Sequence, residues 1–155
     1  MQIIKRFLDI IFVLIFIIIM LPFLIALLII IYFYSSKILY ISKRIGKNKK
    51  IFLMPKFRTM VDDTPELATH LMINPDKYYT KIGYILRKYS LDEIPQLYSV
   101  FVGDMSLVGP RPALFNQIDL IKLRKDKGLE ELMPGITGWA QVNGRDGLSI
   151  VDKVK

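Results

Sequence analysis

No cysteine occurs in the chain, which excludes a disulfide framework and agrees with a reducing, cytoplasmic setting. Histidine is almost missing as well: His70 is the single one, and its polar neighbours mark it as a surface residue. No internal repeat is visible, which removes solenoid and propeller architectures. The most informative absence is of charge. Residues 10–36 carry no Asp, Glu, Lys or Arg, and nearly all are Ile, Leu, Phe, Val, Met or Tyr. As a helix this run of 27 residues would be about 40 Å long, against about 30 Å for a bilayer core. It belongs in a membrane, and a cleaved signal peptide is disfavoured because no A-x-A-like site follows. Roughly 120 residues are left, enough for one small core.

Pro22 divides the run into residues 10–21 and 23–36. A proline there removes a backbone donor and crowds the preceding turn. Each half would be only about 20 Å long, too short to span alone. Lys5 and Arg6 precede the run, while Lys37, Lys43, Arg44, Lys47, Lys49 and Lys50 follow it. Basic flanks favour the cytoplasmic side, and here both flanks are basic. A re-entrant hairpin satisfies both; a kinked spanning helix is the alternative, and the residues alone leave the two even. Either way the larger positive cluster keeps the rest of the chain cytoplasmic.

Acid is also missing from 37–60, which holds eight cations. Beside a membrane segment these meet anionic headgroups, each adding about 1 kcal/mol near the surface. Nucleic-acid binding is the competing use, but the basic run lacks aromatic interleaving. Coarse patterning gives two short strands, Leu39–Ile45 and 51–54, around a Gly46-Lys47-Asn48 turn. Helices are expected over 66–73, from an Asp76 cap to about Tyr89, over 94–102 up to Gly103, and over 114–127 up to Gly128. The fold class is α+β with helix dominant. The expected domains are an anchor at 1–36 and a cytoplasmic domain at 37–155.

Within SLDEIPQL, residues 90–97, Asp92 and Glu93 stand adjacent in an apolar stretch. Ser90-x-x-Glu93 matches a capping box. Pro95 would then remove a needed donor, whereas a helix opened by Asp92 tolerates it. Asp92 is therefore the better cap, held ionised by the helix dipole. A fixed carboxylate also describes a metal ligand or a nucleophile, so capping does not decide its role. Arg87 and Lys88 lie just upstream, and Gly109-Pro110-Arg111-Pro112 lies downstream. An arginine held between prolines is a good way to present a guanidinium to a phosphate.

LDEIPQLYSVFVGDMSLVGPRP (91–112), with KFRTM (56–60) before it and PGITGWAQVNGR (134–145) after it, resembles the bacterial sugar transferase family of small monotopic phosphoglycosyl transferases. The resemblance implies transfer of a phospho-sugar from a UDP-sugar to a polyprenyl phosphate at the inner membrane, with UMP released. It also implies a magnesium ion (Mg2+), a covalent aspartyl-phosphosugar on Asp92, and a helix-break-helix hairpin near Pro22. Such an enzyme begins capsule, O-antigen or glycoprotein glycan assembly and sits among inner-membrane lipids on the cytoplasmic face. A homodimer is compatible with it.

The physical requirements agree with these implications. An anionic carboxylate must meet a diphosphate, then an anionic acceptor, so fixed positive groups are needed. Lys56, Arg58, Arg87, Arg111 and Arg145 are the candidates, with Pro110 and Pro112 holding the loop. Glu93 or Asp92 would carry the metal, and Glu93 is alternatively a base. Asp62 and Asp63 are expected to open a loop or helix rather than bind metal. Asp104 is expected to hold its glycine-rich loop, and Trp139 to serve packing or interface anchoring. Ser99, Tyr84 and Met133 depart from the family's usual Asn and basic residues, which bears on substrate preference. The chain is also short past its Asn-Gly-Arg motif. That shortness favours the rival reading, a catalytically inactive scaffold of a glycan-assembly complex.

Overall fold

The computed structural model describes residues 2–35, 37–62, 64, 65, 72, 74–144 and 147–154. The apolar run forms one helix, α1 (Gln2–Tyr34), long and apolar enough to cross a membrane. The expected division into two helices is corrected here, because helical structure continues through Pro22. A proline forfeits one intrahelical bond, and the turns on either side of Pro22 remain helical. Most of α1 is exposed apolar surface, including Phe7, Ile18, Ile19 and Phe33. A patch of that extent needs a lipid or protein cover.

Both ends of α1 are nonetheless seated on the rest of the chain. Val13 is fully buried against Phe52, Met54, Val100 and Met105. Leu27 and Ile31 pack with Phe57 and Leu86. The first turns add polar ties. Asp9, buried in spite of its charge, accepts a hydrogen bond from Ser106 Oγ at 2.7 Å and forms an ion pair with Lys5 at 3.8 Å. Lys5 also donates to the Val108 carbonyl at 3.0 Å, and Arg6 donates to the carbonyls of Val100 and Phe101.

β1 (Leu39–Ile45) and β2 (Ile51–Phe57) form an antiparallel hairpin, paired from Leu39↔Phe57 to Ile45↔Ile51. The turn between them lies where expected, with Asn48 and Lys49 at positive φ. The short strand β4 (Ala113–Leu114) extends this sheet on the β1 side. Period-two alternation buries Phe52 and Met54 and turns Lys56 to the same face.

The long helix expected from Asp76 to Tyr89 is corrected to a 3-10 turn (Pro75–Tyr78) and a short helix, α2 (Gly83–Lys88). Between them Tyr79 bridges to Met60, and Thr80 N donates to the Thr59 carbonyl at 3.0 Å. Backbone pairing with the KFRTM segment thus takes the groups that a continuous helix would use. A side chain at Gly83 would collide with the Thr59 carbonyl, so glycine is required at this crossing.

α3 (Gln96–Val102) ends at Gly103, as expected, with φ +102°. β3 (Ser106–Val108) and β5 (Gly135–Thr137) make a separate parallel pair. The helix expected from 114 begins only at Ile118, because Ala113 and Leu114 are drawn into the sheet; it is α4 (Ile118–Asp126), followed by Gly128 at φ +66°. α5 (Trp139–Val142) follows β5. Apart from residue 72, the helix expected over 66–73 lies outside the described residues, as do His70 and Asp63. The architecture is α+β with helix dominant.

Candidate active site

Ser90, at φ +57°, reverses the chain after α2 and starts a 3-10 turn, Leu91–Glu93. Leu91 and Ile94 anchor this turn against Phe57 and Leu86. The intervening residues Asp92 and Glu93 are thereby turned to the inner face of β2. Asp92 is only 5% exposed. It is not the cap of α3, which opens at Gln96 with Pro95 in the cap position. Nor does Ser90 make a side-chain cap bond. Pro95 has no N–H to satisfy and a preset φ, so it suits that boundary, and the tight turn before it absorbs Asp92.

This placement changes the electrostatics expected of the pair. Burial pushes the Asp92 carboxyl above the usual aspartate range; Lys56 and Arg87 oppose that shift and Glu93 adds to it. Burial also pushes Glu93 up, but Lys56 and Arg111 outweigh it and hold Glu93 at about 2. Lys56 Nζ lies 2.9 Å and the Arg111 guanidinium 3.2 Å from the same oxygen, Glu93 Oε1. The adjacent carboxylates are therefore driven apart: Glu93 is an ionised anchor, while Asp92 is the more readily protonated of the two.

Lys56, Arg58, Arg87, Arg111 and Pro112 all line one cavity with Asp92 and Glu93. Arg87 stacks over the Tyr79 ring at 5.3 Å and donates to its hydroxyl at 3.2 Å. Arg58 pairs with Asp62, four residues on. Pro110 lines a separate, smaller cavity instead. Arg145 lies outside the described residues. Pro22 is part of α1 and is not among the residues lining the cavity. Asp104 and Trp139 are also absent from its lining.

The loop carrying Arg111 is fixed by close backbone contact with the PGITGW segment. Gly109 N donates to the Thr137 carbonyl at 2.8 Å, and Gly135 N to the Pro110 carbonyl at 3.0 Å. A side-chain carbon at Gly135 would fall 2.6 Å from Gly109 Cα. Two motifs that are distant in sequence thus interlock through glycines. The Ser99 carbonyl receives the amides of Gly103, Asp104 and Met105, which steadies the turn leading into β3.

Further cations line this surface, Arg44 among them. Arg44 lines the cavity and donates to Ser42 Oγ at 3.2 Å and to the Pro112 carbonyl at 3.3 Å. The signal for it was the alternation Tyr40-Ser42-Arg44 in β1, which shares a face with Lys56. The cavity, ≈ 1450 Å³, continues from this charged centre to Phe12, Phe16 and Ile19 on α1. It exceeds the roughly 300–1,000 Å³ of an ordinary small-molecule pocket.

A family profile described as "Bacterial sugar transferase" matches residues 1–155. The chain belongs to the bacterial sugar transferase family. Among its relatives, the uncharacterized sugar transferase EpsL of Bacillus subtilis (strain 168) is 44% identical over 116 residues, covering 74% of this chain and 55% of that protein. The undecaprenyl-phosphate glucose phosphotransferase of Komagataeibacter xylinus is 39% identical, covering 71% of this chain and 22% of its own. The undecaprenyl-phosphate galactose phosphotransferase of Salmonella typhimurium is 36% identical, covering 75% and 27%. This sugar transferase chain therefore spans little more than half, or less, of the length of these relatives.

Proposed function

We propose that the chain transfers a phospho-sugar from a UDP-sugar to a membrane polyprenyl phosphate and releases UMP. Two relatives whose names specify undecaprenyl-phosphate sugar phosphotransfer support this reading. The observation that carries it is the single cavity joining a buried carboxylate pair, several cations and an apolar helix face. Such a cavity suits a reaction between a charged diphosphate and the phosphate of a lipid.

In this reading an Asp92 carboxylate oxygen attacks the sugar-bearing phosphorus. The phosphoanhydride bond breaks, and UMP departs with its electron pair. A polyprenyl-phosphate oxygen then attacks the same phosphorus, giving polyprenyl diphosphate-sugar and restoring the carboxylate. The carboxylate is a weak nucleophile but a good leaving group, which suits transfer between two phosphates. Burial that raises the Asp92 carboxyl also raises its basicity and hence its nucleophilicity. Glu93 holds Lys56 and Arg111, whose charges offset repulsion among the anionic groups.

Among the described residues no group of three or more His, Asp or Glu is placed to hold a metal. Two adjacent carboxylates fit magnesium only where substrate phosphates complete its shell, which is its usual manner of binding in phosphoryl transfer. Asp92 and Glu93 would hold it, and it would supply neutralisation of the diphosphate charge.

The anchor in this reading is monotopic, entering and leaving by the cytoplasmic face of the bacterial inner membrane. The polar ties of Lys5, Arg6 and Asp9 and the seating of Ile31 support it, since both ends of α1 rest on one globular part. A spanning helix would carry those ends to opposite faces about 30 Å apart.

The test is UMP release from membranes holding the chain, supplied with polyprenyl phosphate and a panel of UDP-sugars, with magnesium or with EDTA. Release that depends on acceptor and magnesium is expected. No UMP across the panel overturns the enzyme reading and leaves the scaffold.

A further inference from the structure

Asp62 repeats near the surface an arrangement that Glu93 makes inside the site. Two cations, Lys37 at 3.9 Å and Arg58 in direct contact, face one oxygen, Asp62 Oδ1. Glu93 Oε1 holds Lys56 and Arg111 in the same way. The two clusters differ in burial. The Glu93 side chain is 18% exposed and that of Asp62 is 48% exposed. An ion pair screened by water contributes little, whereas breaking a buried one is costly. Glu93 is therefore a fixed anchor, and Asp62 is an anion that a stronger one can displace.

Asp62, Lys37 and Arg58 all line the cavity that holds Asp92 and Glu93. Their level in it follows from the chain. Lys37 is the first charged residue after the apolar run and lies just past the end of α1 at Tyr34. It therefore stands at the depth of lipid head groups. Arg58 N donates to the Ile38 carbonyl at 2.8 Å, which holds Arg58 beside that end of the anchor. Arg58 also follows Lys56 by two residues, which puts the two on one face of the strand about 7 Å apart. The cations thus form two pairs: Lys56 and Arg111 beside the carboxylates, Lys37 and Arg58 at the membrane edge.

The ligand that fits the outer pair is a phosphate monoester. Its two negative charges outbid the single charge of Asp62, and its oxygens accept from an ammonium and a guanidinium together. A phosphate carried on a lipid reaches this pair first, because it arrives at head-group depth. A nucleotide diphosphate arrives from water and has the inner pair.

We propose that Lys37 and Arg58 receive the phosphate of the polyprenyl acceptor, and that Asp62 occupies them until it arrives. The proposal rests on the reaction reading above. The incoming phosphate displaces the Asp62 carboxylate from the two cations, and no covalent bond changes in that exchange. Asp62 thus sets acceptor affinity by competition, separately from donor handling at Lys56 and Arg111.

The experiment uses the full chain in nanodiscs of neutral phosphatidylcholine, with UMP release followed while UDP-sugar and polyprenyl phosphate are varied. In a double displacement, kcat/KM for each substrate reports its own half-reaction. Lys37→Gln should lower kcat/KM for polyprenyl phosphate about threefold or more and leave that for UDP-sugar unchanged. Asp62→Asn should raise the acceptor value, a change of opposite sign that a merely structural residue would not give. Lys37→Arg should restore wild-type behaviour, and Lys122→Gln, which removes a charge outside the cavity lining, should be silent. An unchanged acceptor value in Lys37→Gln, an equal fall for UDP-sugar, or a lowered acceptor value in Asp62→Asn overturns the proposal. So does an effect of Lys37→Gln seen only in discs containing phosphatidylglycerol, which assigns the pair to anionic head groups instead. A wild type that releases no UMP fails the reaction reading. The subsite is then decided by the thermal shift that polyprenyl phosphate produces, smaller in Lys37→Gln and larger in Asp62→Asn if the proposal holds, and equal in all three if it does not.

Discussion

Lys56 Nζ lies 2.9 Å from Glu93 Oε1, and Arg111 reaches the same oxygen at 3.2 Å. One acidic residue thus ties the KFRTM strand to the Gly-Pro-Arg-Pro loop. Replacing it leaves two cations without their partner in a mostly buried site. Glu93→Gln should lower stability by about 3 kcal/mol, read by denaturant titration. The same pair sets a pH dependence. Because the folded-state Glu93 carboxyl is depressed, its contribution is complete above pH 4.5 and is lost as pH falls from there toward about 2. Glu93→Gln should flatten that part of the acid limb; an unchanged slope would separate Glu93 from acid stability.

Asp9 accepts from Ser106 Oγ at 2.7 Å, which joins the first turns of α1 to β3. Asp9→Ala removes that acceptor and leaves Lys5 without its acid. A loss of about 1–3 kcal/mol in detergent is expected, measured by thermal unfolding. Ser106→Ala should lose less, because no charge is left unpaired.

Much of the globular part was legible from residue patterns. The β1–β2 hairpin followed from short apolar runs around Gly46-Lys47-Asn48, and the stop at Gly103 from glycine's access to positive φ. The carboxylate pair was visible as acids in an apolar stretch. Its setting was not. Asp92 reads as a helix cap only if the helix begins beside it, and the αL turn at Ser90 with the late start at Gln96 removes that helix. The continuous helix over 76–89 failed because Tyr79 finds a backbone partner at Met60, a contact no local pattern encodes. The β3–β5 pair was hidden for the same reason. Three-residue strands carry too little periodicity, and their pairing depends on Gly109 meeting Gly135 across a long stretch of chain.

That glycine contact makes its own prediction. Gly135→Ala places a carbon 2.6 Å from Gly109 Cα, against backbone that has no flexible end to yield. The variant should lose about 3 kcal/mol and shift the Arg111 loop, weakening activity beyond the stability loss. Calorimetry together with UMP release at a temperature where the variant remains folded checks both effects. Gly147→Ala, where the added carbon meets nothing within 4 Å, is the control and should be silent.

The path of α1 is tested by labelling. Cysteines introduced one at a time at Gln2 and Ser36, in a chain with none of its own, should both react with an impermeant maleimide only from the cytoplasmic side. Labelling from opposite sides would mean a spanning helix.

The covalent role proposed for Asp92 is best tested without acceptor. The chain is incubated with magnesium and a UDP-sugar labelled in the sugar-proximal phosphate, then separated from free nucleotide. Label should be retained on the protein, discharged when polyprenyl phosphate is added, and missing from Asp92→Asn. Label retained equally by Asp92→Asn, or product formed at wild-type rate by that variant, would contradict it.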